Sequence, residues 1–376
     1  MDISRIDWNF SVNRADENGF LFRDVKLPPF SLEGLPWFEE NHQAYYRLPL
    51  RYTEKEINSH ALTLCHHTSG VCLRFRSDSP ELKIRAKLAY SCDMSHMPRA
   101  GSAGFDCYRK LPGGKLLHIF TILPSPGQVD LLAQIGSNPE GKLCEWVVNF
   151  PLYGGVEQVE IGFREGSRLL PPRPHKVEAP VLFYGSSITQ GGCASRPGNT
   201  YSAMLCRKVD AEQINLGFAG SGRGEIAVAT AIASLKLSAF VMDYDHNAPD
   251  PEYLEKTHEP FFRTVREACP DLPVIFMSMC DFRSRMLHNP SGGYIRRRQI
   301  IRNTYEHALA SGDSLVYFID GEKLFGNEMH DACMVDGCHP NDLGFYRMYK
   351  HVLPVLKKAL KAGRERKRHQ EVARAD

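Results

Sequence analysis

Five short apolar runs in the second half of the chain fix its architecture: Val181 to Tyr184, Ile214 to Phe218, Ala239 to Tyr244, Val274 to Cys280 and Val316 to Asp320. Helical stretches near 199–210, 224–235, 251–268 and 294–310 separate them, and another follows from 342 to 361. Uninterrupted apolar runs of strand length mark strands buried on both faces, and the helices between them supply the crossovers that parallel strands need. The pattern predicts an α/β unit: a doubly wound sheet of five parallel strands with helices on both faces, whose functional groups collect beyond the carboxyl ends of the strands.

From about residue 44 to 163 the hydrophobic period is two instead. Val71, Leu73 and Phe75 alternate with polar residues, and so do Leu82, Ile84 and Ala86 after the turn Ser77-Asp78-Ser79-Pro80, which predicts a half-buried hairpin. A second hairpin is expected where Gly104 to Leu111 is followed by Pro112-Gly113-Gly114 and Leu116 to Leu123, and a last strand near Val156 to Phe163. Many short strands with Gly/Pro turns imply an antiparallel β-sandwich of jelly-roll type. Trp37, Tyr108 and Trp146 are expected in its core rather than stacked on a ligand. The organisation is therefore a sandwich over 1–165, a Pro-rich linker over 166–180, the α/β domain over 181–362 and a solvated basic tail over 363–376. The 376 residues accommodate two domains at roughly 150 residues each.

Composition narrows the setting. Lys and Arg number 46 against 44 Asp and Glu, so charge gives no reason to expect nucleic acid or an acidic membrane as partner. Eleven cysteines, an odd number with no Cys-x-x-Cys pair, and an amino terminus (Met1, Asp2, Ile3, Ser4, Arg5) without an apolar signal stretch lead us to expect reduced thiols in a cytoplasm. No apolar run approaches the roughly 18 residues that cross a bilayer. Oligomeric state is not legible.

Four segments after strand ends carry chemistry. The first strand ends in Gly185-Ser186-Ser187-Ile188, a turn that presents a hydroxyl and a free N–H; a phosphate cradle is the rival reading, although the Lys of a P-loop is absent. The second ends in Gly217-Phe218-Ala219-Gly220-Ser221-Gly222-Arg223, where glycine brings a backbone N–H against a ligand or merely makes a tight turn. The third ends in Asp243-Tyr244-Asp245-His246-Asn247, where an amide either donates to a developing oxyanion or caps a turn. The fifth leads to Asp336-Gly337-Cys338-His339-Pro340, in which a carboxylate three residues before an imidazole can accept from Nδ1 and leave Nε2 as a general base. One sheet converges all four segments.

Those blocks, in that order over about 180–360, resemble the SGNH/GDSL hydrolase superfamily, and the sandwich ahead of them is similar to the layout of certain carbohydrate esterases and of acyltransferases. The resemblance implies a flavodoxin-like fold, Ser187, His339 and Asp336 as catalytic triad, and an oxyanion hole of the Ser187 and Gly220 N–H groups and the Asn247 amide. It implies a serine esterase, O-acetyl esters of carbohydrates being the expected substrates, with an acyltransferase or a carbohydrate-binding protein with a degenerate hydrolase domain as alternatives. Two departures mark a divergent branch: Ser186 stands where the family has Asp, and Asp245-His246-Asn247 replaces the usual Gly-x-Asn-Asp. Arg223, His246 and His258 flank the site as candidates for substrate binding. No cofactor is expected, and His66-His67 and the group His330, Cys333, Cys338, His339 lack metal-site spacing.

Overall fold

The computed structural model describes residues 15–111, 113–281, 285–287 and 289–375. Met1 to Arg5, on which the expectation of no signal stretch rests, and Pro112 of the second expected hairpin lie outside them.

The first half folds as two antiparallel sheets. One contains β1 (Phe20–Asp24), β9 (Val156–Arg164), β4 (Glu81–Leu88) and β7 (Asp130–Ser137) in that order; the other runs β10 (Leu169–Leu170), β3 (Cys72–Ser77), β8 (Cys144–Asn149), β5 (Asp106–Lys110) and β6 (Leu116–Thr121), with β2 (Ser31–Glu33) also on β3. Without the two short strands β2 and β10, the remaining strands in chain order are arranged 1-8-3-6 over 2-7-4-5, the jelly-roll order. The sheets enclose a core that includes Leu73, Phe75, Ile84, Phe105, Trp146 and Ile161. Trp37, Tyr108 and Trp146 are all buried, but of the three only Trp146 lies in this core: Trp37 packs with the parallel sheet, and Tyr108 meets Arg196 and Arg207 of the second half.

The expected hairpin over 71–88 is not one. β3 pairs with β8 and β4 with β7 and β9, so Ser77 to Pro80 carries the chain from one sheet to the other. Alternation identifies a strand with one buried face but does not name its partner, and both strands turn their apolar face to the same core. The second hairpin is present: β5 pairs antiparallel with β6.

The second half forms a five-stranded parallel sheet of β11 (Val177–Gly185), β12 (Ala211–Gly217), β13 (Ala239–Asp243), β14 (Val274–Met277) and β15 (Val316–Ile319). Its order, β12-β11-β13-β14-β15, reads 2-1-3-4-5 and reverses direction between β11 and β13, which is where such sheets bind ligands. Helices Tyr201–Val209, Ile226–Ala233, Pro251–Ala268 and Tyr294–Ala310 lie between the strands. The last helix, Asp342–Ala375, continues through the basic segment expected to be a frayed tail, with Arg366 and Gln370 tied to Asp271. Within the Pro-rich segment, Leu169 and Leu170 pair with Ser77 and Arg76. Among the described residues no helix is long and apolar enough to cross a membrane.

The two halves share their interiors. Trp37, Tyr46, Leu48, Ile57, Ala61 and Cys65 are buried in one cluster with Leu182, Leu216 and Phe240 of the parallel sheet. Met97, Leu152 and Tyr153 join Phe183, Ile188 and Val241 on its other face. Polar ties accompany this packing: the Ser69 hydroxyl donates to the Gln190 carbonyl at 2.6 Å, and Asn58 Nδ2 donates to the Ser221 carbonyl at 2.9 Å.

Candidate active site

β11 ends at Gly185, where the chain turns into the single helical turn Ser187–Gln190. Gly185 has no substitute here: a β-carbon on it would lie 2.1 Å from the Asp243 carbonyl oxygen and 2.2 Å from Thr189 Oγ1. Ser186 caps the turn by accepting from the Ile188 N–H at 3.2 Å. Gly191 at φ +107° closes the turn, and the Ser187 carbonyl accepts from the N–H groups of Gly191 and Gly192.

Ser187 and His339, 152 residues apart, meet with Oγ and Nε2 at 2.8 Å. On the other side of the ring His339 Nδ1 stands 2.7 Å from Asp336 Oδ2, while Asp336 Oδ1 accepts from the Cys338 and His339 N–H groups at 2.9 and 2.7 Å. Partial burial works against ionisation of Asp336, but the N–H and the imidazole of His339 outweigh it and hold the carboxyl down to about 2. The imidazole is thereby oriented with Nδ1 toward a permanent carboxylate and Nε2 toward the serine.

Gly220, in the turn after β12, has φ +66° and open space where a side chain would stand. No hydrogen bond within the described protein engages its N–H or that of Ser187. Asn247 sits at the end of the 3-10 turn Asp245–Asn247 after β13, and its Nδ2 donates to the Phe218 carbonyl at 2.9 Å. One amide hydrogen thus fixes the side chain and the second stays free.

Of the residues expected to flank the site, Arg223 lies beside Gly220, its guanidinium 3.4 Å from the Gly220 carbonyl. His246 is half-buried, and burial, with the positive charges of Arg285 and Arg297 adding to it, pushes its imidazole down to about 3. His258 is a correction. It is 1% exposed, its Nδ1 is 2.8 Å from Thr304 Oγ1, and its ring stacks on Tyr244. The helix Pro251–Ala268 turns that face onto the sheet, so His258 is a satisfied core residue and has no access to substrate.

Sequence reasoning missed three neighbours. His96, from the sandwich, stands with its ring centroid 5.6 Å from that of His339. A β-carbon on Gly192 would lie 2.9 Å from the Tyr153 hydroxyl and 3.1 Å from His339 Cδ2, which brings both rings to the same backbone. Arg285 donates to Cys338 Sγ at 3.1 Å. No local pattern marks His96 or Tyr153; Arg285 follows a strand's carboxyl end, a position that the topology rule singles out. Among the described residues two groups bring metal-ligand atoms within 4.8 Å of one another, His96 with Cys193 and His339, and Asp243 with Asp245 and His246. In the second group Asp243 is held by Thr189 and Tyr201, and Asp245 by the Met279 N–H.

Residues 178–357 match the GDSL-like lipase/acylhydrolase family, and residues 20–169 match the N-terminal domain of SGNH hydrolase-type esterases. No protein of curated function matches the sequence. Among solved structures, a candidate GDSL-like lipase from Bacteroides ovatus is 27% identical with TM-score 0.81, covering 91% of this chain and 98% of that one. The salicylyl-acyltransferase SsfX3 of a tetracycline biosynthetic pathway is 18% identical with TM-score 0.76, over 90% and 96%. The acetyl xylan esterase Est2A of Butyrivibrio proteoclasticus is 12% identical with TM-score 0.55, over 91% and 99%. With both halves matched in order, the α/β sheet in flavodoxin-like order and the four blocks at its strand ends, the chain belongs to the SGNH/GDSL hydrolases as a two-domain member with an N-terminal jelly roll.

Proposed function

We propose that the chain is a serine esterase that hydrolyses O-acyl esters of carbohydrates, O-acetyl esters above all, through an acyl-enzyme on Ser187. The observation that carries this reading is the continuous relay from Ser187 Oγ through His339 to Asp336. His339 Nε2 takes the hydroxyl proton as Oγ attacks the ester carbonyl, and Asp336 stabilises the imidazolium. The tetrahedral oxyanion is met by the Ser187 and Gly220 N–H groups and the free amide hydrogen of Asn247, each worth about 3 kcal/mol in comparable sites. Collapse expels the sugar oxygen, which takes the proton back from His339. Water, deprotonated by the same nitrogen, then releases the acid. No step needs a metal or cofactor.

The acetyl xylan esterase among the structural neighbours supports a sugar ester as substrate. A second reading is transfer of the acyl group to an acceptor alcohol, the kind of reaction named for the salicylyl-acyltransferase that shares this two-domain fold. Transfer differs from hydrolysis only in excluding water from the acyl-enzyme. The test is acetate release from a panel of acetylated manno-, xylo- and sialyl-oligosaccharides, with mass spectrometry of the products in the presence and absence of added alcohols. Hydrolysis predicts free acetate that added alcohols leave undiminished; a transferred ester at the expense of acetate favours the transferase, and no turnover of any sugar ester contradicts the substrate class.

A further inference from the structure

Three side chains capable of binding a soft metal meet at the nucleophile, and each comes from a different part of the chain. His96 belongs to the sandwich, Cys193 to the turn after the helix Ser187–Gln190, and His339 to the Asp-x-x-His turn; their ligand atoms lie within 4.8 Å of one another. We propose that His96, Cys193 and His339 form an inhibitory site for Zn²⁺, which switches the enzyme off by taking the imidazole of His339. The inference rests on the reading of Ser187, His339 and Asp336 as the triad.

Two imidazoles and a thiolate are the donor set that Zn²⁺ favours, and three protein ligands leave a fourth position for water. Zn–N distances of ~2.0–2.1 Å and a Zn–S distance of ~2.3 Å set tetrahedral ligand atoms roughly 3.5 Å apart, so the three atoms draw together from within 4.8 Å when the metal binds. The Cys193 thiol gives its proton to solvent as the Zn–S bond forms. Burial, with the negative charge of Asp336 adding to it, pushes the free Cys193 thiol up to about 12, so the thiolate forms only together with the Zn–S bond.

Occupancy and catalysis exclude each other. Both ring nitrogens of His339 are in use, Nε2 with Ser187 at 2.8 Å and Nδ1 with Asp336 at 2.7 Å, so coordination at either one breaks a bond of the relay. Cys193 also holds a left-handed backbone, φ +71°, which residues with a β-carbon seldom adopt and which concentrates at functional sites. That turn is held close to the imidazole, since Gly192 packs against His339 Cδ2. His96 is half-exposed, which leaves the cation a route in from the sandwich side. Cys338, although adjacent to His339 in sequence, is occupied by Arg285.

The test uses the full chain with Co²⁺ as optical probe and Zn²⁺ as inhibitor. A thiolate-to-cobalt charge-transfer band is expected, abolished in Cys193→Ser and displaced by Zn²⁺. Zn²⁺ should inhibit hydrolysis of an aryl acetate reversibly on chelation, and Cys193→Ser and His96→Ala, each measured against its own metal-free turnover and with circular dichroism to verify the fold, should raise the inhibitory concentration about tenfold or more. Absence of the band, its persistence in Cys193→Ser, or equal inhibition of wild type and both variants overturns the site. Because the band requires no turnover, it tests the site separately from the triad: undiminished turnover in Ser187→Ala would remove the triad and leave the metal site to stand or fall on the spectrum.

Discussion

Arg47 of the jelly roll reaches into the α/β domain and donates to the Gly217 carbonyl at 2.8 Å, at the point where β12 gives way to the Gly220 turn. The same Nη1 donates to the Asn215 carbonyl at 2.9 Å, and Nη2 to Leu64. The guanidinium has no exposed surface and lies 4.7 Å from the Phe218 ring centroid. A charged donor thus fixes the strand end that leads into the Gly220 turn, and ties the two halves together there.

Replacing that cation leaves carbonyls unpaired in the interior. Arg47→Met is expected to lower the unfolding free energy by about 3 kcal/mol, measured by urea denaturation. Since the loop it holds carries Gly220, kcat should fall in the protein that remains folded; a stability change within experimental error would show that the tie carries no weight.

Glycines of the second block divide into two kinds. A β-carbon on Gly217 would stand 2.1 Å from the Gln190 nitrogen and 2.6 Å from its Cα, backbone that has nowhere to move, whereas Gly220 has nothing within 4 Å. Gly217→Ala should therefore cost about 3 kcal/mol or more. Gly220→Ala, which pays only for its left-handed φ and retains the N–H, should cost about 1 kcal/mol and keep most activity. Thermal unfolding and aryl acetate turnover of the two variants distinguish these outcomes.

In the proposed mechanism Asp336 supplies orientation and charge without taking a proton. Asp336→Asn is expected to lower kcat by roughly 10³–10⁴ with little change in KM, because the amide favours the wrong imidazole tautomer. Its carboxyl is held at about 2, so the wild-type pH–rate profile should carry no inflection from this residue. A loss of less than tenfold in Asp336→Asn would contradict the role.

Much of this was legible beforehand, for stated reasons. Strands buried on both faces write themselves as unbroken apolar runs, so Val181 to Tyr184 and Ala239 to Tyr244 locate β11 and β13 to within a few residues. Local motifs at strand ends point to Ser187 and to the Asp336–His339 turn, which the fold brings together. Long-range choices were not legible. Alternation around Phe75 and Ile84 does not say that the two strands face each other across a sandwich; four prolines do not show that Leu169 and Leu170 still pair; nothing around His258 tells which side of its helix meets the sheet. His96 and Arg47 reach across the two halves, where sequence spacing carries no signal.

Two buried carboxyls beneath the site make stability depend on pH. Burial pushes Asp245 up to about 6 from an ordinary 3.8 and raises Asp243 well above its usual value. A carboxyl with a raised folded-state value binds its proton more tightly in the native protein, so stability falls as pH rises from about 4 to about 6. Asp245→Asn keeps an acceptor for the Met279 N–H and should remove up to about 3 kcal/mol of that fall. Urea denaturation at pH 4.5 and 7.5 checks the sign; an unchanged slope in the variant would assign it elsewhere.

The most direct measurement combines a fluorophosphonate probe with the Ser187→Ala variant. Peptide mapping of the labelled wild type should place one adduct on Ser187, and the folded variant should take no label and lose aryl acetate turnover. Undiminished turnover in that variant, or labelling at another serine that tracks the loss of activity, would contradict the account.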